Sequence, residues 1–255
     1  MPLLEHLPAV APPPSAGLAW RAWAGALLDL VFPPICPLCR ARLGAGRRDP
    51  LCGACWQALE RIDEPVCRLC GLPLTIPGLC GACRRRRPAF SYARAAARYG
   101  DVVREALHAF KFGGRRALAA PLGDLLAAPG PGALPEAAPD LLLPVPLHPR
   151  RRRERGFNQS LLLARRVGRA WGLPVRSDIL RRTAATSPQT DLSAQARRAN
   201  VRGAFRLRRP ELVAGRHVVL VDDILTTGAT AGECARVLRE AGAATVGVLT
   251  VARVV

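Results

Sequence analysis

Four Cys-x-x-Cys pairs near the amino terminus constrain this chain more than any other feature of its sequence. They use eight of its nine cysteines and are separated by 12, 11 and 9 residues. Each pair directs two thiolates toward one ion from a tight turn, and two pairs complete a tetrahedral four-sulfur zinc shell that leaves no open position for water. The spacing therefore predicts two structural Zn²⁺ ions. The predicted ligands are Cys36, Cys39, Cys52, Cys55, Cys67, Cys70, Cys80 and Cys83.

Other interpretations of these cysteines fit the sequence less well. A disulfide framework requires an oxidising compartment, which nothing in the sequence suggests, and a thioredoxin-like redox pair fits a single motif better than four regular copies. The simplest pairing joins neighbouring motifs, the first with the second and the third with the fourth, while an interleaved arrangement remains open. The ninth cysteine, Cys234, is expected to be a small buried apolar side chain in a helix.

The overall composition is that of a folded protein without a membrane span. Hydrophobic residues make up 49% and charged residues 22% of the 255 residues, near the average for globular domains. The longest apolar runs are far shorter than the ~20 residues that a bilayer-spanning helix needs. The chain opens with Pro2, Glu5 and His6 where a secretory signal carries positive charge. We therefore expect a cytoplasmic protein, with a peripheral position at the inner membrane left open.

The positive charge of the chain is concentrated in one stretch. The 38 Lys and Arg residues against 19 Asp and Glu residues give +19, and residues 150–216 alone hold 18 arginines and 4 acids, or +14. Lys111 is the only lysine. Such a charge density attracts polyanions such as nucleic acid, or ligands with several phosphates. The alternative is a solvated surface of biased composition.

Prolines and a change of pattern divide the chain into three parts. Residues 1–26 indicate a flexible leader and the start of a short helix over 17–32, residues 27–88 the zinc module, and residues 89–255 a second domain. In the second domain apolar strands alternate with helices, which predicts an α/β fold with a doubly wound parallel sheet and ligands at the carboxyl ends of its strands. The predicted strands are 91–99, 141–145, 218–221 and 246–251, and the predicted helices 101–112, 158–171 and 230–241.

The stretch from Val218 to Thr230 carries the clearest chemistry. Its four apolar β-formers fit a strand buried on both faces, and Asp222 and Asp223 follow at the ligand edge. The Thr-Thr-Gly-Ala-Thr loop after them offers hydroxyls and backbone N–H groups at a helix start, which favours a phosphate. Because adjacent acids repel a bare phosphate, the ligand must present hydroxyls or a divalent cation to the acids. A ribose 5-phosphate satisfies both demands.

This stretch resembles the 5-phosphoribosyl-1-pyrophosphate (PRPP) motif of type I phosphoribosyltransferases. The resemblance implies that Asp222 and Asp223 are the catalytic acids at the ribose hydroxyls, and that Mg²⁺ accompanies PRPP as a cofactor. It also implies a PRPP-binding set made of the end of the strand, both acids and the loop. These residues are Val221, Asp222, Asp223, Thr226, Thr227, Gly228, Ala229 and Thr230.

Further motifs resemble the ComF (GntX) family of competence-associated phosphoribosyltransferase-like proteins over residues 27–255. They are 108–116 around Lys111, 144–148, 155–159, and Gln189, Leu192, Arg197, Asn200, Ala204 and Phe205, behind a double zinc ribbon. The resemblance implies that Pro146 and His148 lie in a pyrophosphate loop and that 183–200 form a mobile loop. Arg155 and Arg197 would clamp the diphosphate. From the residues alone, His148 also fits a turn cap, and the run 150–153 a solvated surface.

Two classes of function follow from these features. One is enzymatic: transfer of phosphoribose from Mg²⁺-PRPP to a nitrogen acceptor, which no residue identifies. The other is a protein that handles single-stranded DNA through its arginine-rich surface and binds PRPP or a nucleotide phosphate as a regulatory ligand. The aromatic content of 5% is low for base stacking. The family resemblance adds a role in natural competence and DNA uptake, with competence-machinery proteins at the inner membrane as partners.

Overall fold

The computed structural model describes residues 34–44, 50–184 and 194–255, with no description of the side chains of 194, 195, 197 and 198. The predicted leader, the helix over 17–32 and residues 185–193, half of the predicted loop over 183–200, lie outside the described residues. No helix in the described part of the chain is long and apolar enough to cross a membrane. The domain boundaries at residues 26 and 88 stay predictions.

The centre of the second domain is a four-stranded sheet. Its strand order is β1, β6, β5, β2, and each pair of neighbours is parallel, which confirms the predicted parallel sheet. An antiparallel pair, β3 with β4, lies where the sequence pattern looked irregular. The six strands of the described residues are β1 (Tyr92–Arg98), β2 (Leu141–Pro144), β3 (Leu180–Arg182), β4 (Phe205–Leu207), β5 (His217–Leu225) and β6 (Thr245–Arg253).

Helices cover both faces of the sheet. Helix α4 packs against α6 on one face, and α8 packs with α7 and β4 on the other, which confirms the doubly wound arrangement. The α-helices of the described residues are α1 (Gly53–Gln57), α2 (Gly81–Arg85), α3 (Asp101–Lys111), α4 (Ala119–Ala127), α5 (Pro149–Arg155), α6 (Gln159–Trp171), α7 (Ala194–Val201) and α8 (Ala229–Glu240). Helix α5 contains the arginine run 150–153, for which only a solvated surface was predicted.

The side chains of strand β5 show why helices must cover both faces of the sheet. Successive side chains of a strand point to opposite faces, so Val219 and Val221 join the cluster beneath α4 and α6, while Val218 and Leu220 join the cluster beneath α8. All four are at most 1% exposed. The strand continues beyond the predicted residues 218–221, so that both acids lie within it. The pairing of Asp222 with Thr250 and of Ile224 with Ala252 fixes this end of the strand to β6.

The segment between the two ribbons attaches the amino-terminal module to the sheet. Arg98 N donates to Glu60 O at 2.8 Å, Ile62 N donates to Ala96 O at 3.1 Å, and Arg61 forms a bridge with Ala97. Because β1 is an edge strand, this segment satisfies backbone groups that a sheet edge otherwise leaves open. The module is therefore hydrogen-bonded to the second domain and is more than a tethered appendage.

Candidate functional site

Two groups of four cysteine sulfurs are gathered in the amino-terminal module. Within each group the sulfur atoms all lie within 4.8 Å of one another, and the closest described pairs are 3.5 to 3.8 Å apart. Four sulfurs at ~2.3 Å from one ion in a tetrahedron are about 3.8 Å apart, so the donor sets fit zinc. We call Cys36, Cys39, Cys52 and Cys55 the first ribbon site, and Cys67, Cys70, Cys80 and Cys83 the second ribbon site.

The grouping settles the question that the spacing left open. Neighbouring motifs pair, and the interleaved arrangement is wrong for both sites. In the first cysteine of each site, burial raises the pKa of the thiol, but hydrogen bonds from nearby backbone N–H groups outweigh it and lower the pKa of Cys36 and Cys67 to about 6. The thiolate is the form that binds a metal ion, and it is therefore accessible at neutral pH.

The acid pair of β5 is held by groups from two other elements. Asp223, with a side chain 7% exposed, lies 2.6 Å from Lys111 Nζ at the end of α3. Ser160 Oγ, near the start of α6, donates to Asp222 Oδ1 at 2.8 Å, and the backbone N–H of Asp223 donates to the same oxygen at 2.9 Å. The two carboxylates thus have separate supports, a cation for one and hydrogen-bond donors for the other.

Burial has a marked effect on the ionisation of Asp222. Burial, followed by the charge of Asp223, raises the pKa of Asp222 to about 7, and the hydrogen bond from Ser160 and the charge of Lys111 offset only part of this rise. Near neutral pH Asp222 therefore exchanges between its charged and neutral forms. A ligand that brings hydroxyl donors or a cation to this carboxylate favours the charged form.

The loop after β5, which the sequence predicts to bind a phosphate, turns sharply into the start of a helix. Gly228 has φ +74°, a conformation that glycine adopts at no steric cost, and an added Cβ would lie 3.4 Å from Phe90 Cε1. This turn starts α8, whose first N–H groups have no acceptor within the helix. Thr227 Oγ1 accepts from Ala229 N at 3.4 Å. Thr226 and Thr230 are half-buried in the same loop, so the predicted phosphate-binding residues are brought together.

Arg253 connects this loop to the second ribbon site. Its guanidinium, on a residue only 9% exposed at the end of β6, donates to the carbonyl oxygens of Leu225 at 3.1 Å and of Thr226. The same group donates to Cys70 O at 3.2 Å and contacts Cys70 Sγ at 3.8 Å. One buried side chain therefore spans the phosphate loop and a predicted zinc ligand.

The turn after β2 lies beside the acids. Val145 N donates to Val221 O at 2.9 Å, and Asn158 Nδ2 donates to Val145 O at 3.2 Å while its Oδ1 caps α6. Pro146 and His148 follow in this turn and are half-buried. His148 Nδ1 accepts from Arg150 N at 3.3 Å, so this histidine caps α5, as the alternative interpretation predicted.

Arg155 lies at the end of α5 and faces the acids. Its guanidinium donates to Gln159 Oε1 at 2.6 Å. Burial lowers the pKa of Arg155, and the negative charges of Asp223 and Asp222 offset part of that effect. Arg182, on β3, is 6% exposed, and burial and the charge of Arg151 lower its pKa. Lys111 contacts Asp223, and the charges of the acids act on Arg155 and Arg182, so the acid pair lies in a basic environment that favours an anionic ligand.

Of two further predicted residues, one has a buried side chain and the other has a side chain outside the described part of the structure. Val221 is fully buried in the core, so that only its backbone reaches the edge of the sheet. Arg197 lies in α7, and its side chain is outside the described part of the structure, as are Gln189 and Leu192. Cys234 is fully buried on α8, as expected.

Sequence reasoning gave no role to three residues that hold the site. Lys111 carried a signal, since it is the one lysine among 38 basic residues. Arg253 carried a weaker one, as the charged residue that ends an apolar strand. Ser160 carried no signal, because it lies 62 positions before Asp222 in the sequence and no local pattern reveals their contact.

Comparison with known proteins agrees with this architecture. The double zinc ribbon domain family matches residues 27–84, and the phosphoribosyl transferase domain family matches residues 160–254. The DNA utilization protein YhgH of Escherichia coli O157:H7 is 40% identical over 228 residues, which are 88% of this chain and 99% of that protein. Competence protein F of Haemophilus influenzae is 31% identical, over 86% of this chain and 96% of its own length. The chain belongs to the ComF family.

The family extends beyond these relatives. Competence protein ComFC of Bacillus subtilis is 29% identical over 205 residues, 77% of this chain and 80% of that protein. The ComF-family chain thus combines a double zinc ribbon and a phosphoribosyltransferase domain. The family match and the two sets of four sulfurs support Zn²⁺ as the metal of both ribbon sites.

Proposed function

We propose that this ComF-family chain binds PRPP together with Mg²⁺ and acts in the uptake or use of DNA. The observation that carries the proposal is the acid pair at the end of β5, half-buried Asp222 and buried Asp223, which is followed directly by the predicted phosphate loop and interacts with the charges of Lys111, Arg155 and Arg182. In this arrangement Asp222 and Asp223 accept from the ribose hydroxyls, and the loop from Thr226 to Thr230 binds the 5′-phosphate.

The cations around the acids suit the other end of PRPP. Arg155 is positioned to contact the diphosphate, with Arg197 as a second candidate, and Pro146 and His148 provide the turn on which a diphosphate rests. Mg²⁺, when bound, supplies neutralising charge to the diphosphate oxygens. Lys111 then has two anionic neighbours, Asp223 and the ligand, which offsets the repulsion between them.

If the chain is an enzyme, the reaction is a substitution at C1 of the ribose. The bond from C1 to the pyrophosphate oxygen breaks, its electron pair leaves with pyrophosphate, and a nitrogen of the acceptor forms the new bond to C1 and loses a proton. The protein residues orient the ribose and stabilise charge on the leaving group.

The test is calorimetric titration of PRPP, with and without Mg²⁺, into the full zinc-loaded chain. The double variant Asp222→Asn, Asp223→Asn should lose at least 100-fold in affinity and keep two zinc ions per chain, because each substitution preserves the shape of the side chain and removes its charge. Asp178→Asn is the control, since Asp178 forms an ion pair with Arg176 in the segment before β3 and is not part of the predicted ligand site. Unchanged affinity in the double variant would refute the assigned pocket.

A second candidate function is binding of single-stranded DNA without turnover of PRPP. Helix α5 favours it, because its sequence PRRRRER presents exposed arginines beside the candidate pocket, and the names of the relatives refer to DNA utilization and competence. The double variant Arg152→Gln, Arg153→Gln should weaken oligonucleotide binding and flatten its salt dependence. Following pyrophosphate release in the same samples separates a transferase from a protein that PRPP only regulates. Single-stranded DNA and PRPP as ligands fit a protein on the cytoplasmic side of the inner membrane.

A further inference from the structure

Among the five phenylalanines that the structure describes, one differs from the others by its exposure. Phe112 is 67% exposed, whereas Phe90, Phe110, Phe157 and Phe205 are between 0% and 8% exposed. A large apolar side chain gains free energy from burial, so an exposed aromatic ring beside a candidate ligand site calls for a binding partner. Phe112 follows the last residue of α3, Lys111, which contacts Asp223.

The ring of Phe112 already has a cation stacked on it. The guanidinium carbon of Arg155 lies 5.0 Å from the ring centroid, and the hydrogen bond to Gln159 Oε1, a residue 4% exposed, fixes the guanidinium in place. The His108 ring is 5.1 Å away, one helical turn back along α3. The ring is thus held in one orientation and remains largely accessible.

A second pair of the same kind lies beside the first. Arg116 stacks on Phe157 with 5.0 Å between the guanidinium carbon and the ring centroid, and donates to Gly156 O at 3.2 Å. The surroundings of Phe112 are therefore cationic, which disfavours an apolar peptide as the occupant. Basic groups combined with an accessible aromatic ring are the combination that binds the bases of nucleotides and single strands.

The position of Phe112 relative to the acid pair narrows the class of ligand further. Consecutive Cα atoms are ~3.8 Å apart, so Phe112 is anchored next to the lysine that contacts Asp223. Phe112 stacks on Arg155, whose guanidinium also interacts with the charges of Asp222 and Asp223, so a pentose whose hydroxyls meet the acids can direct its C1 substituent toward this ring. A planar heteroaromatic group on C1 is a nucleobase.

We propose that Phe112, with Arg155 stacked on it, is a platform for a nucleobase attached to, or about to be attached to, the pentose at the acid pair. The proposal rests on the proposed function, and it names the chemical class of the group bound beside the pentose. The base comes either from a free nucleobase or nucleotide, or from the end of a single-stranded DNA, because stacking is the same for both.

The experiment compares two probes that share the phosphate and the pentose. Ribose 5-phosphate and adenosine 5′-monophosphate are titrated into the full zinc-loaded chain and into Phe112→Leu and Phe112→Trp. We expect Phe112→Leu to weaken the binding of adenosine 5′-monophosphate by about 5- to 100-fold, because one stacking contact is lost. The affinity for ribose 5-phosphate should stay within about 2-fold of the wild-type value. Phe112→Trp should restore nucleotide affinity, with quenching of tryptophan fluorescence by the stacked base. Ile76→Ala, at a residue 70% exposed on the second ribbon, is the control and should change neither affinity.

A third probe, an oligothymidylate, separates the two sources of the base. Weakening by Phe112→Leu confined to the oligonucleotide assigns the platform to DNA, and weakening of the mononucleotide assigns it to a free nucleotide. Equal weakening of ribose 5-phosphate and the nucleotide overturns the proposal, because it reveals a structural role. Unchanged affinity for every base-containing probe overturns it too. Failure of the wild-type chain to bind ribose 5-phosphate or PRPP is a separate result, which refutes the proposed function itself.

Discussion

The two ribbons have the same metal chemistry and different attachments. Each has four cysteines in two Cys-x-x-Cys motifs and a single-turn helix that starts at the third cysteine. In both, the backbone N–H of the fourth cysteine donates to the sulfur of the third, at 3.4 Å in the first ribbon and 3.5 Å in the second. The metal sites are near copies of each other, so differences between them must come from what surrounds them.

The two ribbons differ in their contacts with the second domain. Near the first ribbon, the contacts to β1 come from the segment Glu60–Ile62 that follows it. The second ribbon meets the strands themselves: Arg94 donates to Arg68 O at 3.4 Å, and Arg253 joins Cys70 to the phosphate loop. The comparison teaches that the first ribbon covers the domain, whereas the second ribbon also supports its candidate site.

The sharpest way to break this comparison is to remove one equivalent ligand from each ribbon. Cys55→Ser and Cys83→Ser should each lose one of two zinc ions, because each leaves three thiolates at one site. Only Cys83→Ser should weaken ribose 5-phosphate binding strongly, by more than about 30-fold, since the ribbon that contacts Arg253 then loosens. Metal analysis and calorimetry on the same samples check both statements. Equal loss of affinity in the two variants would contradict the asymmetry.

A finer test leaves both metal sites intact. Arg253→Met removes the donors to Leu225 O, Thr226 O and Cys70 O and leaves these carbonyls without that partner. Hydrogen bonds to a charged group contribute about 1.5–3 kcal/mol each, and we expect a 10- to 30-fold loss of ribose 5-phosphate affinity at unchanged zinc content. Arg94→Met is the matched control, because Arg94 also contacts the second ribbon but not the loop. A loss of the same size in Arg94→Met would show that general destabilisation is the cause.

The smallest expected effect concerns the contact between the second ribbon and β1. Gly71 has φ +65°, and an added Cβ would lie 2.5 Å from Ala93 O, whereas a Cβ on Gly44 in the first ribbon would meet nothing within 4 Å. Gly71→Ala should lower the free energy of unfolding by about 1–3 kcal/mol, and Gly44→Ala should change it by less than about 0.5 kcal/mol. Denaturant unfolding of the zinc-loaded chains measures both. Indistinguishable unfolding midpoints of the two variants would mean that the second ribbon is not closely packed against β1 at Gly71.

The sequence allowed the parts with local patterns to be predicted. The cysteine spacing indicated both metal sites, and the run of apolar residues before Asp222 indicated a buried strand with its ligand edge. The antiparallel pair β3 and β4 escaped prediction, because three-residue strands give no periodicity. The donor on Ser160 escaped it for another reason, since only the packing of α6 against β5 brings that hydroxyl to the acid.

The single lysine of this chain has a consequence for its reactivity. All other basic side chains of the Lys and Arg class are guanidinium groups, which do not act as nucleophiles at neutral pH because they keep their proton. The only side-chain primary amine is thus the one that lies 2.6 Å from Asp223. An amine-directed acylating reagent has one side chain to modify, and the extent of its modification reports whether the acid pair is occupied.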